Sequence, residues 1–96
     1  MRKPYLPLPE LLAGLAEEAS ELAQAALKLR RTFDKTNPTP MTEDEAIERL
    51  EEEIADVMLY LDQITYSRKQ VCKIMNEKEE RWRKRIEYYK GQKPGD

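Results

Sequence analysis

Two short acidic runs are the part of this chain best suited to chemistry: Glu17-Glu18-Ala19-Ser20-Glu21 and Glu53-Ile54-Ala55-Asp56. On an α-helix each residue advances about 100°, so positions three or four apart share a face. Glu18 and Glu21 form one such pair, and Glu53 and Asp56 another. Glu18 falls three after Leu15 and four before Leu22, inside an apolar stripe, and Glu21 flanks that stripe. Glu53 sits four before Val57 at the edge of a second stripe, and Asp56 lies further round, beside Arg49 and Tyr60. Either motif alone reads as ordinary solvated charge, as do Glu10, Glu43, Asp44, Glu48, Glu51 and Glu52. Two motifs that both encroach on apolar stripes are a different matter. A carboxylate on a core-facing stripe is costly unless compensated, and carboxylates brought close together cannot all stay ionised without a cation.

The residue inventory narrows which cation that is. The chain has no histidine and one cysteine, Cys72, so zinc sites built on His or paired Cys and His-based triads are excluded. Any metal must take side-chain oxygen ligands, which means a hard cation such as magnesium, manganese or calcium, and magnesium, which takes carboxylate oxygens, waters and phosphates, is the natural partner. Cys72 has no histidine to activate it and offers no credible nucleophile.

The elements that must position these acids are helices. Six prolines leave two long stretches, 10–37 and 41–93, rich in Glu, Lys, Arg, Leu and Ala. No period-two alternation suggests a sheet. The first helix is expected at about 9–31, with Pro9 at its first position and a stripe of Leu11, Leu15, Leu22, Ala26 and Leu29. A loop over 32–42 contains Asn37-Pro38-Thr39-Pro40. Thr42 and Glu45 form a capping box that opens a second helix at about 43–66, striped by Ile47, Leu50, Ile54, Val57, Met58 and Leu61. Ser67 and Gln70 suggest a further cap and a bend near Tyr66–Arg68. The third helix, about 68–90, carries Val71, Met75, Trp82, Ile86 and Tyr89, with Gly91 as its stop. The expectation is one all-α domain over 1–96: an antiparallel bundle of three main helices. At 96 residues its core is thin, so oligomerisation should complete it.

Composition removes further classes. Lys plus Arg total 17 against 19 Asp plus Glu, a net charge of −2, which weighs against nucleic-acid binding by phosphate neutralisation. Helix three is locally basic through Arg81, Arg83, Lys84 and Arg85, but Glu77, Glu79, Glu80 and Glu87 cancel most of that field. No apolar run approaches the roughly 18–20 residues that cross a bilayer, and no charged segment followed by an apolar one marks a signal peptide. A cytoplasmic protein without membrane partners is expected.

EExxE followed on the next helix by ExxD resembles the signature of the all-α nucleoside triphosphate pyrophosphohydrolases. That group includes MazG-type proteins, dimeric dUTPases and phosphoribosyl-ATP pyrophosphohydrolase. The likeness spans about residues 10–90 and is nearest to short MazG-like proteins of bacteria and phages. It implies magnesium ligands at Glu18, Glu21, Glu53 and Asp56, with Glu17 in a supporting or catalytic-base role. Asn76-Glu77-Lys78-Glu79-Glu80-Arg81 is similar to the N-x-K-x-x-R run that follows the acidic motifs in MazG-type domains. There the basic residues meet the triphosphate, which implies phosphate contacts for Lys78 and Arg81. Arg49, where such domains carry a basic residue, is a third. Tyr60 and Asn76 complete the implied substrate contacts.

The activity so implied is magnesium-dependent hydrolysis of a nucleoside triphosphate to the monophosphate and pyrophosphate, in a homo-oligomer, either a dimer or a dimer-of-dimers tetramer. Two rivals share the sequence evidence. One is a non-catalytic helical oligomerisation module, whose stripes serve association alone. The other is phosphoribosyl-ATP hydrolysis, which shares the metal motif.

Overall fold

The computed structural model describes residues 4–35 and 40–92, and the Asn37-Pro38-Thr39 part of the expected loop lies outside them. Three helices account for most of the described chain: α1 (Leu8–Asp34), α2 (Glu43–Gln63) and α3 (Arg68–Gln92), with no strand among the described residues. None of them is long and apolar enough to cross a membrane.

The helix ends follow local chemistry. Pro7 is the extended N-cap of α1, and its carbonyl accepts from the Glu10 and Leu11 N–H groups, both at 3.1 Å. Pro9 therefore stands second in the helix, where its missing N–H still costs nothing. The far end runs a turn beyond the expected Arg31. Arg30 pairs with Asp34 at 3.2 Å across that turn, and Lys35 adopts the left-handed conformation (φ 56°, ψ 21°) and donates its N–H to the Arg31 carbonyl. The Pro38 ring restricts only its immediate predecessor, so nothing stops the helix at residue 31.

The capping box at the start of α2 is complete. The Glu45 N–H donates to Thr42 Oγ1 at 3.2 Å, and the Thr42 N–H donates back to Glu45 Oε1 at 3.3 Å. At its other end α2 stops at Gln63, three residues short of expectation. Ile64 is extended (φ −93°, ψ 134°), and the expected bend is a true break through Ser67. β-branched Ile64 and Thr65 fit extended backbone well, and Ser67 then caps α3 by accepting from the Gln70 N–H at 3.1 Å. The Arg68 guanidinium stacks over the Tyr66 ring, 5.3 Å from its centroid. Gly91 does not end α3; the helix passes through it to Gln92.

Contacts within the chain group it into two compact units, residues 1–65 and 66–96. In the first, α1 and α2 pair with opposite polarity. Gly14 meets Tyr60, Glu18 meets Glu53 and Asp56, and Glu21 meets Arg49, so contacts on α2 descend as those on α1 rise. The second unit contains α3, which has no buried residue along Arg68–Gln92.

The seam between α1 and α2 differs from the expected stripes. Its buried residues are Leu11, Ala25, Ala46 and Glu53. Ala25, not Ala26, faces inward. Leu11, Glu18 and Ala25 are seven apart along α1, as are Ala46, Glu53 and Tyr60 along α2, and seven residues return nearly to the same face. Ile47, Ile54 and Met58, expected to be inward, remain exposed. Small residues at the seam let the backbones approach closely, and α2 is rotated so that Glu53, not its larger apolar neighbours, occupies the middle of the contact.

Candidate functional site

Each seam line has an acid at its centre. Glu18 stands between Leu11 and Ala25 on α1, and Glu53 between Ala46 and Tyr60 on α2. Asp56, one turn after Glu53, completes a group in which one carboxylate oxygen from each of Glu18, Glu53 and Asp56 lies within 4.8 Å of the others. Glu18 and Asp56 are half-buried; Glu53 is only 5% exposed.

The two oxygens of Glu53 have different fates. Oε1 is 3.3 Å from Arg49 Nε, an i,i+4 contact along α2, while the same guanidinium reaches Glu21 Oε2 on α1 at 3.7 Å. Oε2 is buried and has no hydrogen-bond partner. A buried carboxylate oxygen without a donor costs on the order of several kcal/mol unless a cation satisfies it. Partial burial holds the Glu18 carboxyl above its ordinary value of 4.5, and the nearby charges of Asp56, Glu53, Glu17 and Glu21 push in the same direction. Three hard oxygen donors, one orphaned and one reluctant to ionise, fit a divalent cation of the magnesium or calcium type.

The remaining expected residues are distributed around this group. Glu21 is drawn to Arg49 and is not one of the three converging acids. Glu17 is exposed and acts on the group through its charge. Arg49 faces carboxylates on both helices, a position the sequence offered only as a phosphate contact. Tyr60 lies one turn beyond Asp56, its ring pressed against Gly14; a Cβ at Gly14 would overlap the ring and hydroxyl.

Beyond that layer the seam opens into a cavity of about 380 Å³ lined by Tyr5, Leu6, Leu11, Leu59, Tyr60 and Gln63. Its volume is in the range of small-molecule sites. The leader is tied over it by the Tyr5 N–H, which donates to Gln63 Oε1 at 3.1 Å. Sequence reasoning missed Gln63 and the anchoring role of Tyr5, since the pair is separated by 58 positions and no local pattern links them. Gly14 had a readable signal: a lone glycine inside a helix costs about 1 kcal/mol and usually marks a close approach.

The other expected contacts belong to α3. Lys78 and Arg81 line one recess with Trp82 and Arg85, and Asn76 shares a shallower one with Glu77, Glu80 and Arg81. Arg83 and Lys84 are taken up by Glu80, at 3.0 and 3.7 Å. Among the described residues, no ion pair engages Lys78, Arg81 or Arg85.

Comparison of the chain with protein-family models, with curated proteins and with solved structures gives no match.

Proposed function

We propose that this chain is a magnesium-dependent nucleoside triphosphate pyrophosphohydrolase of the MazG-like kind. The observation that carries the proposal is the orphaned Glu53 Oε2, buried in a seam that Glu18 and Asp56 also face. A fold gains nothing from three converging acids by themselves; a bound cation explains them.

In this reading Glu18, Glu53 and Asp56 hold magnesium, or manganese in its place, and Glu21 joins them as the resemblance implies. Held by these residues, such a cation would supply Lewis-acid polarisation at the α-phosphate and lower the pKa of an attacking water. Glu17, exposed beside the cluster, orients that water and accepts its proton. The water oxygen bonds to the α-phosphorus as the bond to the α,β-bridging oxygen breaks, releasing monophosphate and pyrophosphate. Arg49 offsets charge on the β and γ phosphates. Tyr60 contacts the substrate, and the cavity beyond it receives the base. That cavity begins one helical turn, about 6 Å, from Asp56, a span comparable to the sugar that separates base from α-phosphate. A cytoplasmic setting, where triphosphates and magnesium are at hand, goes with this activity.

Assembly enters the proposal through the faces left open. Ile47, Ile54 and Met58 on α2, and Val71, Met75 and Trp82 on α3, are apolar and exposed. An antiparallel bundle completed by a second copy, as a dimer or a dimer of dimers, would cover them. The same faces support the rival reading, a helical oligomerisation module without chemistry.

Chromatographic separation of products separates the two. The full chain with magnesium should convert a nucleoside triphosphate to monophosphate and pyrophosphate, and Glu53→Ala or Asp56→Ala should abolish conversion with helicity intact. Full activity in either variant would refute the metal assignment. A chain that neither turns over nor is stabilised by magnesium plus a nonhydrolysable nucleotide belongs to the module reading.

A further inference from the structure

The cavity at the open end of the α1–α2 seam carries more chemical information than its apolar walls suggest. Gln63 is its polar group on α2, and the orientation of its amide is set from outside. A backbone N–H can be satisfied only by an oxygen, so the Tyr5 N–H holds Oε1 toward the leader. The amide nitrogen, with two donor hydrogens, has no hydrogen bond to the described residues and is left for whatever enters. Tyr5 and Tyr60 line the same cavity as aromatic residues, with Leu6, Leu11 and Leu59 as its apolar ones. A planar heterocycle stacks on such surfaces without regard to its edge; the edge is read by the amide.

We propose that Gln63 selects the base, and that the substrates are keto-base nucleotides, those of uracil, thymine and guanine. The inference rests on the pyrophosphohydrolase reading above. The Gln63 amide donates to the exocyclic carbonyl oxygen of these bases. Cytosine and adenine present an amino group at the corresponding place, and two donors then face each other with neither satisfied. A site that donates one hydrogen bond disfavours a partner that cannot accept it, because the stacked base covers the half-buried Gln63 amide and leaves its donor unpaired. Tyr5 is the positioning residue: its N–H prevents the amide from turning over and accepting instead.

The test is equilibrium binding of α,β-imido analogues of dUTP, dTTP, dGTP, dCTP and dATP to the full chain with magnesium. The expected result is about tenfold tighter binding of the three keto analogues. In Gln63→Glu one carboxylate oxygen still accepts from the Tyr5 N–H and the other now accepts from an amino group, so the preference should reverse toward dCTP and dATP. Tyr5→Pro deletes the anchoring N–H; there the preference should collapse to within about twofold, because the amide can then present either face. A shared loss of affinity from the missing ring would fall on all five analogues alike. Circular dichroism checks that both variants retain their helices, and either variant alone suffices to decide. Binding of all five analogues within twofold by the unmodified chain, or a preference untouched by either substitution in a variant that keeps its helices, overturns base selection by Gln63 and leaves the hydrolase reading standing. Failure of every analogue to bind overturns both.

Discussion

The Arg49 guanidinium lies 3.3 Å from Glu53 along α2 and also reaches Glu21 across the seam at 3.7 Å. One positive charge thus serves two of the acids that the metal reading needs, from the side of Glu53 opposite its orphaned oxygen. Arg49 is 46% exposed, so its field is partly screened. Replacing it with methionine keeps the stem's packing and removes the charge. Arg49→Met should tighten magnesium binding about tenfold, equivalent to about 1.4 kcal/mol of relieved repulsion. It should also lower turnover, because the same charge is lost to the phosphates. Calorimetric titration and a turnover assay on one preparation check both. Unchanged or weaker metal binding would show that Arg49 does not face the metal position.

Glu53→Gln addresses the buried carboxylate directly. The substitution is nearly isosteric and removes a charge that burial penalises and that Glu18 and Asp56 repel; the new amide can donate toward either acid. Without metal, the variant should be more stable than the parent by about 1 kcal/mol. With magnesium, the parent's melting temperature should rise and the variant's should not. A residue kept at a cost to stability serves something other than the fold. A variant that is less stable without metal would make Glu53 a structural ion-pair member of the Arg49 contact.

The Glu18 carboxyl gives a pH signature. Its folded value stands above the ordinary 4.5, so the folded state holds the proton more tightly than the unfolded chain does. The penalty is absent below 4.5 and complete above the raised folded value, and the metal-free protein should therefore lose stability as pH rises through that window. Thermal melts between about pH 4 and 8 should show this slope in the parent. Glu18→Gln should flatten it, and so should magnesium, which favours the ionised form. A slope that Glu18→Gln leaves intact would mean another group controls the window.

Gly14 and Tyr60 form the layer between the acids and the cavity. Gly14→Ala gains about 1 kcal/mol of helix propensity, but the new methyl occupies the place of the Tyr60 ring, and such overpacking costs about 1–3 kcal/mol. The ring end must swing away, so the expected outcome is a net loss of up to about 2 kcal/mol in a denaturant titration. Nucleotide affinity should fall with it, while metal binding at Glu18, Glu53 and Asp56 is retained. A stabilised variant with unchanged affinity would place Tyr60 outside the substrate path.

Much of this arrangement was legible in the residues. Three helices, the Thr42–Glu45 box and the Ser67 cap follow from local chemistry that needs no partner element. Glu18 and Glu53 stood out because they encroach on apolar stripes, a signal carried within each helix, whereas Asp56 was named by its spacing from Glu53 and by the resemblance, which also named Glu21. What escaped was set by rotation and by distant contact. The stripe count put Ile47, Ile54 and Met58 inward, because hydrophobic periodicity weighs side-chain size. The seam instead follows Gly14, Ala25 and Ala46, where small size permits close approach. The α2 break at Ile64 was placed late, since β-branched residues are also tolerated in helices. The Tyr5–Gln63 bond joins opposite ends of the first unit, and no short-range pattern encodes it.

A divalent cation at the junction of Glu18, Glu53 and Asp56 is what the proposed chemistry requires first. Titration of the full chain with manganese, followed by electron paramagnetic resonance and competed with magnesium, measures this without reference to any substrate. Saturable binding that magnesium displaces, weakened at least tenfold in both Glu53→Gln and Asp56→Asn, is the predicted result. Manganese binding of equal strength in the parent and both variants, or none at millimolar metal, would contradict it.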